Sequence, residues 1–146
     1  MRLSSRPKAD ISQSLLSDKA IVPSLRVLVV DDNVDAAEAL GLLLQATGYV
    51  ARMAYDGVSA VKVALESRPN VVLLDIGLPG LDGYEVAKRL RQDASLDGVV
   101  LIAMTGYGQA TDKLRSQVAG FNHHLVKPAD FSKVQQVLAT VSVKAS

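Results

Sequence analysis

Along this chain, short apolar runs rich in β-branched residues alternate with longer stretches in which apolar positions recur every three or four residues. The short runs predict strands buried on both faces, and the 3.6-residue recurrence predicts helices packed against them. The first run, Leu25-Arg26-Val27-Leu28-Val29-Val30, stops at Asp31-Asp32-Asn33. Asn33 predicts the N-cap of a helix whose Ala36, Leu40, Leu43, Leu44 and Thr47 share one face and which Gly48 ends. Tyr49 to Ala54 predicts a second strand, and Asp56-Gly57 the turn into a second helix that stops before Pro69. Val71-Val72-Leu73-Leu74-Asp75 predicts a third strand that runs into the Gly/Pro turn Gly77-Leu78-Pro79-Gly80. Asp82, with Glu85 three residues on, predicts the capped start of a third helix, and Glu85 is spaced to pair with Arg89. Asp97-Gly98 reads as a turn, Val99 to Met104 as a fourth strand reaching Thr105, and Gly106-Tyr107-Gly108 as the loop to a weakly amphipathic helix closed by Gly120. Phe121 to Val126 predicts a fifth strand ending at Lys127-Pro128, and Asp130 caps a last helix with Phe131, Val134, Leu138 and Val141 on its buried stripe.

Five strands alternating with five helices define an α/β domain with a parallel sheet covered on both faces, joined by right-handed crossovers. The domain is expected over residues 25–143. Residues 1–24 differ: serines, scattered charges, Pro7 and Pro23 predict a flexible leader or linker, with one short helix at Ile11 to Leu16. A length of 146 residues at 49% hydrophobic suits one domain with a real core. The formal charge of +1 gives no reason to expect a nucleic-acid or membrane surface. The absence of cysteine excludes disulfides and thiolate metal sites, and no apolar run reaches the ~20 residues that span a bilayer. A cytoplasmic protein is the expectation.

Candidate chemistry gathers at the carboxyl ends of the predicted strands: Asp31 and Asp32 on the first, Asp75 on the third, Thr105 on the fourth, Lys127 on the fifth. In open α/β sheets ligands bind beyond that edge, at the point where strand order reverses. Carboxylates meeting there repel, by about 4 kcal/mol for a pair 4 Å apart at an effective dielectric near 20. A raised pKa, Lys127 or a divalent cation would compensate. Oxygen ligands without Cys favour a hard ion such as Mg²⁺. Such a set suits a phosphoryl group: cation and Lys127 neutralise its oxygens, Thr105 donates a hydroxyl, and a carboxylate attacks phosphorus in line.

The residues Asp31-Asp32, Val71 to Glu85 around Asp75, Met104-Thr105-Gly106 and Lys127-Pro128 resemble the receiver domain of two-component response regulators over roughly residues 25 to 143. The resemblance is closest to receivers attached to hybrid histidine kinases and to single-domain regulators. It implies a flavodoxin-like, doubly wound sheet of strand order 2-1-3-4-5 with five helices. It further implies that Asp75 accepts a phosphoryl group from a histidine kinase or phosphotransfer protein. Asp32, Asp75 and the Gly77 carbonyl would hold Mg²⁺, with Asp31 acting through water. Thr105 and Lys127 would touch the phosphoryl oxygens, with a cis peptide before Pro128. The fourth helix, fifth strand and fifth helix would form the face that meets a downstream protein or a second copy.

The chain departs from that pattern at His124, where the family often carries an aromatic switch residue; an imidazole there suggests a pH-sensitive switch. Gly77 offers no side chain to the phosphoryl group, which leaves Tyr107 to govern its lifetime. Only a few residues follow the last predicted helix, so the signal is expected to leave through a partner, self-association or another domain. Two rival readings carry different chemistry. A phosphatase of the haloacid dehalogenase type would want an Asp where Gly77 stands, and a degenerate receiver that only binds would not need its acidic residues, Thr105 and Lys127. The reading favoured is a non-enzymatic receiver that catalyses only its own phosphorylation and dephosphorylation.

Overall fold

Each β-rich run forms a strand and each periodic stretch a helix. A computed structural model describes residues 24–106 and 113–141. Strands β1 (Arg26–Val30), β2 (Val50–Ala54), β3 (Val71–Asp75), β4 (Val100–Gly106) and β5 (His123–Lys127) alternate with helices α1 (Val34–Ala46), α2 (Gly57–Ser67), α3 (Gly83–Arg91), α4 (Lys113–Ala119) and α5 (Phe131–Leu138). The strands are parallel and lie in the order β2-β1-β3-β4-β5, the flavodoxin-like arrangement expected. A 3₁₀ turn at Ala94–Leu96, capped by Asp93, precedes β4. The leader through residue 23, with its expected short helix, and Tyr107 lie outside the described residues.

Side chains alternate across the sheet, so each central strand feeds two cores. Leu28, Val30, Val72, Leu74, Leu101 and Ala103 pack on one face with Ala60 and Ala64 of α2 and Val86, Ala87 and Leu90 of α3. Val27, Val29, Val71, Leu73 and Ile102 pack on the other with Ala37 and Leu44 of α1 and Val134 and Leu138 of α5. All five residues of β3 are buried, as its continuous apolar run predicts for a central parallel strand.

The expected caps form at Asn33, Asp82 and Asp130, and Asp56, expected in a turn, caps α2 as well. Asn33 accepts from Ala36 N–H, Asp56 from Ser59 N–H, Asp82 from Glu85 N–H and Asp130 from Ser132 N–H. Gly48 and Gly120 follow their helices at φ +99° and +95°, where a side chain would be strained. Two expectations fail. In α1 the buried residues are Ala37, Gly41 and Leu44, while Ala36, Leu43 and Thr47 are exposed. Gly41 lies against Met53 of β2, where a Cβ would fall 2.5 Å from the Sδ of that flexible side chain. The stripe drawn through the larger residues missed a contact made by the smallest one. Nor does a Glu85–Arg89 ion pair form among the described residues.

Candidate functional site

Strand register sets the site. β1 pairs with β3 as Val30↔Leu74, so Asp31 and Asp75 stand at the same level on neighbouring strands. β3 pairs with β4 as Asp75↔Met104, and β4 with β5 as Gly106↔Lys127. The carboxyl edge therefore brings Asp31, Asp32 and Asp75 together, with a carboxylate oxygen of each within 4.8 Å of the others. Asp31 and Asp75 are buried, at 7% and 6% exposure, and Asp32 is exposed.

Lys127 reaches across from β5. Its Nζ donates at 3.0 Å to Asp31 Oδ2 and at 3.0 Å to Asp75 Oδ2. The remaining oxygens are held by backbone: Asn33 N–H donates to Asp31 Oδ1 at 2.9 Å and Gly77 N–H to Asp75 Oδ1 at 2.8 Å. Burial works against the Lys127 charge, but its hydrogen bonds to Asp75 and Asp31 and their charges outweigh that and raise its pKa. Among the described residues the Asp32 carboxylate has no hydrogen-bond or ion-pair partner. Three carboxylates against one ammonium leave two negative charges uncompensated. An oxygen-only donor set of that charge fits a hard divalent cation.

Thr105 is 2% exposed, and its Oγ1 lies 3.5 Å from the Leu125 carbonyl oxygen on β5, a weak contact at the limit of hydrogen bonding. Thus contacts join Lys127 to Asp31 and Asp75, whereas the Thr105 hydroxyl faces β5. The Lys127–Pro128 peptide is cis.

His124 is exposed on β5, level with Ala103. Its Nε2 lies 3.0 Å from the Oγ of buried Ser116 on α4, and its ring tilts against Phe121 with centroids 6.1 Å apart. Burial, then the neighbouring charges of His123 and Lys113, lower its pKa below 6.5. No contact joins His124 to the carboxylates or to Thr105 among the described residues. Beside it lies a cluster with no signal in the sequence: Arg115 on α4 pairs with Asp82 at 3.2 Å and stacks over the Tyr84 ring at 4.2 Å. These residues are separated by about thirty positions and share no spacing signal, so only the packing of α4 beside α3 reveals them.

A parallel sheet of this order, with an acidic cluster and a lysine at its carboxyl edge, defines a receiver-type architecture. Residues 27–139 match the family model of the response regulator receiver domain, and the chain belongs to that family. PilH of Pseudomonas aeruginosa is 34% identical over 105 residues, which cover 72% of this chain and 87% of PilH. Against several other curated relatives, DNA-binding regulators among them, the match spans less than half of their length, 44–47%. Among solved structures, the receiver domain of the sensor histidine kinase PA1611 from P. aeruginosa PAO1 has magnesium coordinated in its active-site cleft. It is 30% identical with a TM-score of 0.71, covering 80% of this chain and 95% of that one. The receiver domain of Ssk1 from Saccharomyces cerevisiae, solved with the histidine phosphotransfer protein Ypd1, is 27% identical with a TM-score of 0.71. The match covers 82% of this chain and 89% of that one. No described helix is long and apolar enough to cross a membrane.

Proposed function

We propose that this receiver domain takes a phosphoryl group onto Asp75 from a phosphohistidine and passes the change to a protein partner. The observation that carries this reading is Lys127 Nζ bridging Asp31 and Asp75 at 3.0 Å each, in a site still short of two positive charges. In the transfer, the donor's P–N bond breaks as a P–O bond forms to an Asp75 carboxylate oxygen. The imidazole leaves with the electron pair and takes up a proton. Water attack on phosphorus later breaks the P–O bond, restoring the carboxylate and releasing phosphate. Lys127 would leave its bridge to follow the phosphoryl oxygens, and Thr105 would turn its hydroxyl from Leu125 toward them.

Asp32, Asp75 and the Gly77 carbonyl would hold Mg²⁺, with Asp31 acting through water; magnesium in the PA1611 receiver supports this assignment. The cation supplies neutralisation of the phosphoryl oxygens. The chain then acts on its own carboxylate alone and is not an enzyme toward other substrates.

The Ssk1–Ypd1 complex supports a phosphotransfer protein or histidine kinase as donor. Val34, Leu42 and Leu43 of α1 are exposed at 43%, 63% and 49%, and suit an apolar docking surface for that donor. Leu114, Val118 and Val126, exposed on α4 and β5, suit the downstream partner or a second copy. His124 is proposed as the switch residue, a reading supported by its contact with Ser116 of α4, and Tyr107 is proposed to shield the acyl phosphate.

The test is incubation with acetyl phosphate and Mg²⁺ followed by intact mass measurement. Wild type should gain one phosphoryl group and Asp75→Asn none; a wild type that stays unlabelled, or a variant that labels equally, refutes the assignment.

A further inference from the structure

Among the described residues of α4, Lys113–Ala119, the buried ones are Ser116 and Ala119, so little apolar packing from these residues fixes the helix to the domain. Elements held this way lie at the low-stability end of a fold, where contacts of modest strength decide position. Polar and aromatic contacts are among those that hold α4. Arg115 Nη2 lies 3.2 Å from Asp82 Oδ2, and the guanidinium carbon lies 4.2 Å from the Tyr84 ring centroid. Asp82 is the α3 N-cap, its other oxygen accepting from Glu85 N–H at 3.0 Å. Tyr84 is buried and meets Phe121 edge-on with centroids 6.1 Å apart; Phe121 in turn meets His124, whose Nε2 reaches Ser116.

The position of Asp82 matters because the chain leaving Asp75 is tightly packed up to it. Gly83 N–H donates to the Ile76 carbonyl at 3.3 Å, and a Cβ at Gly83 would fall on the Ile76 backbone and 2.6 Å from the Asp75 carbonyl oxygen. Arg115 thus ties α4 to the segment after β3 that carries Asp82 and Tyr84. A displacement of α4 away from the start of α3 breaks these contacts. The Arg115 contacts oppose that displacement.

We propose that Arg115 is a latch that restrains α4 in the unphosphorylated protein and so sets how readily the domain reaches its displaced state. The consequence for phosphorylation rests on Asp75 being the acceptor; the restraint itself does not. A partly exposed ion pair and a stacked guanidinium together suggest about a fivefold shift in a local opening equilibrium.

In Arg115→Ala, amide hydrogen exchange at Lys113 to Ala119 should accelerate about fivefold while β1 and β3 amides keep their rates. Labelling by acetyl phosphate should accelerate by a comparable factor. Arg115→Lys keeps the charge but loses the planar stack, and should fall between the two. Unchanged α4 exchange overturns the latch, as does a rise shared equally by β1 and β3, which signals global destabilisation. Faster α4 exchange with an unchanged labelling rate overturns its regulatory part. A wild type that never labels refutes the acceptor assignment instead, and the exchange rates still decide whether Arg115 restrains α4.

Discussion

Lys127 shows how one side chain can hold together a site that would otherwise repel itself. Its ammonium donates to two buried carboxylates, and removing it leaves Asp31 and Asp75 facing each other with only one backbone donor each. Lys127→Met should therefore lower stability by about 1–3 kcal/mol near neutral pH, the cost of leaving charged, partly buried groups unsatisfied. Urea unfolding measures it, and a loss below a few tenths of a kcal/mol would mean that the carboxylates do not need the ammonium. At this scale the sequence was informative. Asp31, Asp32, Asp75, Thr105 and Lys127 were legible because each interrupts or ends an apolar strand. Arg115 and Ser116 were not, because an arginine and a serine on a short helix look like ordinary surface until β5 and α3 are packed beside them.

Elements carry the next constraint, above all the turn between β3 and α3. Gly83 opens α3 with its Cα against Ile76 and the Asp75 carbonyl, so its lack of a side chain lets the helix begin that close to the acidic strand. Gly83→Ala should cost about 1–3 kcal/mol through overpacking, with a lower urea midpoint and shifted amide resonances at Gly77 and Asp82. An unchanged midpoint would mean that the turn yields easily. The caps Asn33, Asp82 and Asp130 are legible in the sequence because short polar side chains there accept from backbone N–H groups at a helix start, whereas Asp56 reads only as a turn residue. The buried face of α1 was not readable. Its composition is apolar nearly all round, so periodicity alone could not distinguish the side facing β2 from the side facing out.

For the whole molecule, pH acts through groups whose protonation differs between folded and unfolded chains. His124 has a lowered folded pKa, so its contribution is present above 6.5 and is lost as pH falls from there through the folded value. Lys127 has a raised one, so its contribution is fully present below 10.5 and is lost as pH rises through the folded value. Unfolding free energies measured across pH should lose part of the acid-side slope in His124→Gln and part of the alkaline-side slope in Lys127→Met. Wild-type slopes in both variants would rule these assignments out. The sequence alone determined the alternation of strand and helix, the caps and the set of polar residues at strand ends, because periodicity and backbone satisfaction are local properties. The resemblance, carried by five separated positions, supplied the strand order. Only the tertiary structure decided that Lys127 bridges Asp31 and Asp75, that Thr105 faces Leu125 and that Arg115 ties α4 to α3. Those outcomes depend on register and helix placement across the sheet, and no spacing along the chain encodes the distance between side chains that meet in space.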